Sequence, residues 1–162
     1  MDLKVLKKLG EGSPYYRYLN MDILEAGYGY AKVTMTIQAH HNNILKIVHG
    51  GAIASLADQA GMRAVQTQLP EGQRCRTVQM DIHYLSAAKG GVLSAEGRVQ
   101  KKGGNIAFSD VEVLDEKGKK VAIARCTIAI VDTQKTPASP WPLFDLTPRP
   151  VWVSIKNSPA SH

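Results

Sequence analysis

The sequence predicts an α+β domain in which one long helix is followed by a run of antiparallel strands. Three observations carry this. From 51 to 66, apolar and small residues recur at a helix period until Leu69-Pro70-Glu71-Gly72 stops them. Ahead of that segment, Ala31, Val33, Met35 and Ile37 alternate with Lys32, Thr34, Thr36 and Gln38, the period of two that marks a half-buried strand. Behind it, strand-like stretches at about 75–85, 92–101, 105–114 and 121–131 are separated by Lys89-Gly90-Gly91, Lys102-Gly103-Gly104 and Glu116-Lys117-Gly118, loops short enough for antiparallel pairing.

Taken in order, Leu3, Leu6 and Leu9 predict a short lead-in helix within about 1–19, broken at Gly12-Ser13-Pro14. Gly27 and Gly29 mark a turn between the alternating strand and an earlier one at about 21–26. The last strand is apolar on both faces, with Val121, Ile123, Ala129 and Val131 on one and Ala122, Ala124, Cys126, Ile128 and Ile130 on the other, the pattern of a central, covered strand. Six of the eight prolines lie between Pro137 and Pro159, so a single domain is expected over 1–132 with a Pro-rich extension over 133–162. In that extension Trp141, Phe144 and Trp152 provide something to bury, and clamping along the domain or a neighbouring subunit competes with disorder.

At 162 residues the chain is large enough for one real core. No stretch reaches the apolar length of a membrane span, and Met1-Asp2-Leu3-Lys4 does not begin a secretory signal, so a cytoplasmic location without a membrane partner is expected. A formal charge of +6 suits a nucleic acid, a membrane surface or a small molecule with several phosphates, and charge alone does not choose. The basic pairs Lys7-Lys8, Lys101-Lys102 and Lys119-Lys120 are scattered and no nucleic-acid signature accompanies them, so no nucleic-acid partner is expected. Cys75 and Cys126 fit no metal or redox spacing and read as reduced, buried thiols.

His49-Gly50-Gly51 stands six residues after Asn43, and Asp58 follows the last glycine by seven. A Gly-Gly pair opening a helix bares backbone N–H groups able to stabilise an oxyanion, and Asp58 supplies a carboxylate about two turns on. Together they suggest acyl transfer to water. Alone, each is weaker: Gly-Gly also makes a tight strand-to-helix turn, and a single helical Asp is usually a solvated charge. On the helix, Ile53, Leu56, Ala57, Ala60 and Ala64 share a broad face fit to lie on the sheet, while Gln59, Arg63 and Gln66 form a polar stripe. Asp58 joins neither and falls beside Ala54, Met62 and Val65, which points to an interface. His40, His41 and His49 match no metal-ligand spacing, so neither metal nor cofactor is expected and His49 reads as structural or orienting.

These residues resemble the hotdog-fold acyl-CoA thioesterases, specifically the phenylacetate-pathway (PaaI-type) branch. The likeness lies in the Asn43, His49-Gly50-Gly51 and Leu56-Ala57-Asp58 signature, in Val78-Gln79-Met80-Asp81-Ile82-His83-Tyr84-Leu85, and in Gly103-Gly104-Asn105-Ile106-Ala107-Phe108, and it covers about 14–131. The resemblance implies a long helix wrapped by a curved antiparallel sheet, a homodimer joined sheet edge to sheet edge or a homotetramer, and active sites at the dimer interface. It further implies that the Gly50 N–H receives the thioester oxygen, that Asp58 of the other subunit activates water or attacks the carbonyl, and that Asn43 holds the water or the thioester. Thr77 is carried over as a hydroxyl that positions the water. His49 and Gly51 are carried over as shaping the turn and touching substrate, and Lys101, Lys102 and Gly103 as a hairpin near the coenzyme's nucleotide. Ser86-Ala87-Ala88 departs from the pattern in lacking a proline that many relatives have.

Hydrolysis of an aryl- or fatty-acyl-CoA by Asp58, with coenzyme A present only as part of the substrate, is therefore the expected function. A non-catalytic acyl-CoA sensor is the alternative, since the fold can keep a pocket and lose its chemistry. A hydratase on the same fold would present a different His and carboxylate arrangement.

Overall fold

The computed structural model describes residues 3–132; the Pro-rich stretch 133–162, with Trp141, Phe144 and Trp152, lies outside the described residues. Two helices, α1 (Leu3–Glu11) and α2 (Pro14–Tyr18), lead into strands β1 (Met21–Gly27) and β2 (Tyr30–Thr36). The long helix α3 (Gly50–Gln66) follows, then β3 (Gln73–Tyr84), β4 (Val92–Lys102), β5 (Ile106–Leu114) and β6 (Lys120–Asp132). The lead-in is thus two helices. Ser13 and Pro14, which break the leucine pattern, open the second, with Ser13 Oγ accepting from the Tyr16 N–H.

The six described strands form one antiparallel sheet in the order β1-β2-β4-β5-β6-β3, curved around α3, the hotdog arrangement that the resemblance implies. Bulges between Thr77 and Gln79 and between Val99 and Lys101 help bend it. Ile53, Leu56, Ala57, Ala60 and Ala64 are buried on the sheet as expected. Small residues let the layers approach closely. A β-carbon at Gly97 of β4 would stand 2.3 Å from the Ala60 carbonyl oxygen, and one at Gly61 would stand 2.8 Å from Cys126 Sγ.

Three expectations need correction. The short loop 85–91 does not make β3 and β4 neighbours: among the described residues β3 pairs only with β6, and β4 lies between β2 and β5. A loop of this length can instead cross three strand spacings, about 14 Å, along the end of the sheet. Among the described residues, β6 beyond its buried Val121 is covered on one face only. Ala122, Ala124, Cys126, Ile128 and Ile130 are buried under α3, whereas Ile123 is exposed and Thr127, Ala129 and Val131 are half-buried on the outer face. Finally, Arg63 and Gln66 are not a solvent stripe. Arg63 is 6% exposed, stacked 5.9 Å from the Tyr16 ring and donating to Gln66 Oε1 at 2.7 Å, because α2 lies against this flank.

Candidate active site

The segment between β2 and α3 aims the first group of site residues. Residues 39–41 form a single 3₁₀ turn with His41 buried, its Nδ1 accepting from the Gln38 N–H at 2.9 Å and its carbonyl from the His49 N–H at 2.7 Å. Burial, with His40 alongside, holds the His41 imidazole below the usual histidine range, so it is neutral and suited to that acceptor role. Asn42 and Val48 then bridge, and a tight loop closes between Asn43 and Ile47. The Asn43 N–H donates to the Ile47 carbonyl, the Lys46 N–H donates to the Asn43 carbonyl, and Asn43 Oδ1 accepts from the Leu45 and Ile47 N–H groups. The amide oxygen of Asn43 is thus spent on the loop. Its amide nitrogen makes no hydrogen bond among the described residues and is left for a ligand.

His49 is the N-cap of α3, at φ −63° and ψ 135°, and its Nδ1 accepts the Gly51 N–H at 2.9 Å. An imidazole nitrogen here does what a Ser or Asp oxygen usually does. The Gly51 N–H is therefore occupied. The Gly50 N–H makes no hydrogen bond among the described residues, and it lies at the positive end of the helix dipole. It opens on a cleft of about 300 Å³ lined by Asn43, Ile47, Gly50, Ile53 and Tyr84. Tyr84 was not among the sequence candidates. Its hydroxyl donates to the Gly50 carbonyl at 3.1 Å, and its ring lies so close that a β-carbon at position 50 would stand 3.3 Å from Cζ. The signal, a tyrosine ending an alternating strand, becomes meaningful only once the sheet register sets it over the Gly-Gly turn.

Asp58 lies elsewhere. It is half-buried, makes no hydrogen bond or ion pair among the described residues, and its charge reaches both thiols beneath that flank of the helix. Burial pushes the Cys126 thiol up to about 12 with Asp58 adding to the rise. Burial likewise pushes Cys75 up to about 11, opposed by Arg63 and assisted by Asp58. Thr77, whose partner across the ladder is the buried Ile128, points to the same inner side of the sheet. Its Oγ1 is buried with no hydrogen-bond partner among the described residues. Eight residues of helix separate Gly50 from Asp58, about 12 Å along the axis, so one chain cannot bring both onto a single carbonyl.

The hairpin of Lys101, Lys102 and Gly103 is also remote within one chain. All three are exposed, and the register runs from Ile106 through Ala129 to Arg76, eight residues along β3 from Tyr84 and therefore roughly 25 Å from the Gly50 end. A broader depression of about 540 Å³ lies on the outer face of the sheet, over Asp81, His83 and the two-pronged Arg125–Asp110 pair at 2.7 and 2.9 Å. Arg125 and Asp110 there satisfy one another, and none of the candidate residues reaches it. Among the described residues no helix is long and apolar enough to cross a membrane.

Comparison with known proteins fits this geometry. Residues 45–122 match the model of the thioesterase superfamily. The chain is 32% identical over 108 residues to the acyl-coenzyme A thioesterase PaaI of Escherichia coli, covering 66% of this chain and 75% of that one. It is 28% identical over 127 residues to human acyl-coenzyme A thioesterase 13, covering 76% of this chain and 90% of that one. The solved structure of the E. coli PaaI protein superposes with a TM-score of 0.71 at 27% identity, over 80% of this chain and 96% of that one. A Haemophilus influenzae thioesterase at 21% identity shares the fold with a TM-score of 0.79, over 85% of this chain and 96% of that one. With the unspent helix N-terminus, the wrapped helix and these likenesses in agreement, the chain belongs to the thioesterase superfamily, as a PaaI-type hotdog protein.

Proposed function

We propose that this thioester hydrolase acts on an aryl- or fatty-acyl-CoA at a site built by two copies of the chain. The observation that carries the reading is the pair of unspent groups on α3, the Gly50 N–H and the Asp58 carboxylate, too far apart to meet within one chain. The likeness to the acyl-coenzyme A thioesterases PaaI of E. coli and thioesterase 13 of humans supports coenzyme A as the thiol.

A second copy supplies what is missing. Among the described residues, twelve-residue β3 has a strand on one side only, and Val78 at its bulge is 58% exposed, which leaves its outer side for pairing with a second copy. Antiparallel pairing of β3 with its copy reverses the strand, carrying the partner's Thr77 end toward this chain's Tyr84 and Gly50 end. The same reversal brings the partner's Asp58 and its Lys101–Gly103 hairpin toward the cleft.

In the reaction the carbonyl oxygen gains charge as the nucleophile's oxygen bonds to carbon, and the Gly50 N–H receives that charge. Asp58 takes the proton of an attacking water, held by Thr77 Oγ1 and the Asn43 amide nitrogen, and returns it to the departing thiolate. Direct attack by Asp58 would instead form an anhydride that water opens. A single turnover in ¹⁸O-water that leaves label in the Asp58 carboxylate identifies the covalent route, with water opening the anhydride at the Asp58 carbonyl carbon.

The test is thiol release from a panel of aryl-, short- and long-chain acyl-CoAs by the unmodified chain and by Asp58→Asn. At least a ~100-fold loss is expected in the variant. Tight acyl-CoA binding without turnover by the unmodified chain would replace the hydrolase with the sensor.

A further inference from the structure

The geometry points to Lys46 as a cation that recognises the phosphate groups in the coenzyme A portion of the thioester substrate. This inference rests on the acyl-CoA reading above. Lys46 has φ +58°; among the described residues only it and Asn20 adopt positive φ without being glycine. The loop explains why a left-handed residue is needed. Asn43 and Ile47 bond to each other at the stem, the Lys46 N–H closes a turn onto the Asn43 carbonyl, and position 46 then carries the chain back into the bridge of Asn42 with Val48. Glycine fills such a position without strain, whereas a side chain there must be held against steric cost. Asn20 softens that cost because its residue type visits this region readily; lysine has no such excuse.

Strain retained beside a cleft is a reason to ask what the side chain does. Both stem residues, Asn43 and Ile47, line the cleft, which puts the loop's tip at its rim. Lys46 is exposed and has no carboxylate partner among the described residues, and the stretch from Gln38 to His49 contains no acidic residue at all. Beside it Ile44 is 97% exposed and Leu45 71%, so the tip offers apolar surface next to a free ammonium. That pairing fits a ligand whose uncharged arm, with its methylenes and gem-dimethyl group, leads to phosphates, as in coenzyme A, better than a thiol without phosphates. The ammonium serves as a point charge toward a phosphoryl oxygen.

The experiment compares free coenzyme A with pantetheine, which carries the same arm without phosphates, by calorimetric titration of the full chain and of Lys46→Gly and Lys46→Gln. The unmodified chain is expected to bind coenzyme A more tightly than pantetheine. Both variants should lose about three- to tenfold in coenzyme A affinity with pantetheine unchanged. The thermal midpoint separates charge from strain: Lys46→Gly should melt higher than the parent while binding coenzyme A less well, and Lys46→Gln should lose binding without that gain. In turnover, the KM for an acyl-CoA should rise in both variants with kcat steady, and the KM for the matching acyl-pantetheine should stay put. Equal affinities for coenzyme A and pantetheine in the unmodified chain, or variants that leave their ratio unaltered, overturn the assignment. Absence of hydrolysis with the binding difference intact would sink the hydrolase reading and leave Lys46 as a phosphate contact.

Discussion

Replacing Gly50 by proline removes one hydrogen from the proposed chemistry and little from the fold. Gly50 is the first residue of α3, where proline's fixed φ fits and its missing N–H costs no helical bond. His49 before it sits at φ −63° and ψ 135°, the extended conformation that a following proline favours. The new ring atoms crowd Tyr84, whose Cζ lies 3.3 Å from an added β-carbon, and Gly50→Ala brings the same crowding while keeping the N–H. Loss of one oxyanion donor should lower kcat by about 10²–10³, or about 2.7–4 kcal/mol, with Gly50→Ala within about tenfold of the parent. Because α3 holds Gly50 and Asp58 about 12 Å apart, the two defects should complement one another. Refolded together in equal amounts, Gly50→Pro and Asp58→Asn chains give about half mixed dimers by random pairing, each with one intact and one doubly defective site. Activity should recover to about a quarter of the parent. If the mixture shows no more than the sum of its parts, or if Gly50→Pro equals Gly50→Ala, the shared site is refuted.

Other consequences follow from the same packing. Gly97→Ala places a β-carbon 2.3 Å from the Ala60 carbonyl oxygen, a backbone atom that cannot swing away, so thermal denaturation should show a loss of about 3 kcal/mol and a midpoint about 10 °C lower. An unchanged midpoint would mean that α3 and β4 are farther apart. The thiols test the placement of Asp58: with Cys126 raised to about 12 and Cys75 to about 11, both should resist iodoacetamide at pH 8. Their alkylation should quicken about tenfold per pH unit below those values, and Asp58→Asn should quicken both, read by mass spectrometry of the folded protein. Val78→Glu on the free edge of β3 should shift sedimentation toward monomer and lower activity in parallel; full activity in a monomer would exclude a site shared across that edge.

How much was legible in the sequence depends on the range of the interaction that decides each feature. The alternation at Ala31–Ile37 and the period of α3 are local, and both elements form where they were expected. The Asn43, Gly50 and Asp58 spacing pointed to the superfamily to which the chain belongs, because a short motif is read directly from the local order of residues. Arg63 and Gln66 misled because the helix pattern cannot say that α2 will lie against that flank and bury them.

The sequence by itself determined one long helix, a strand series and the likeness to the superfamily, since hydrophobic period, turn residues and motif spacing act over a few residues. Only the tertiary structure decided that β3 leaves its neighbour β4 for the far edge, that Tyr84 lies over Gly50, and that the Asn43 oxygen is already committed to its own loop. Those outcomes rest on pairing and burial between segments tens of residues apart. A loop of seven residues permits either a hairpin or a crossing, and the choice belongs to the sheet as a whole.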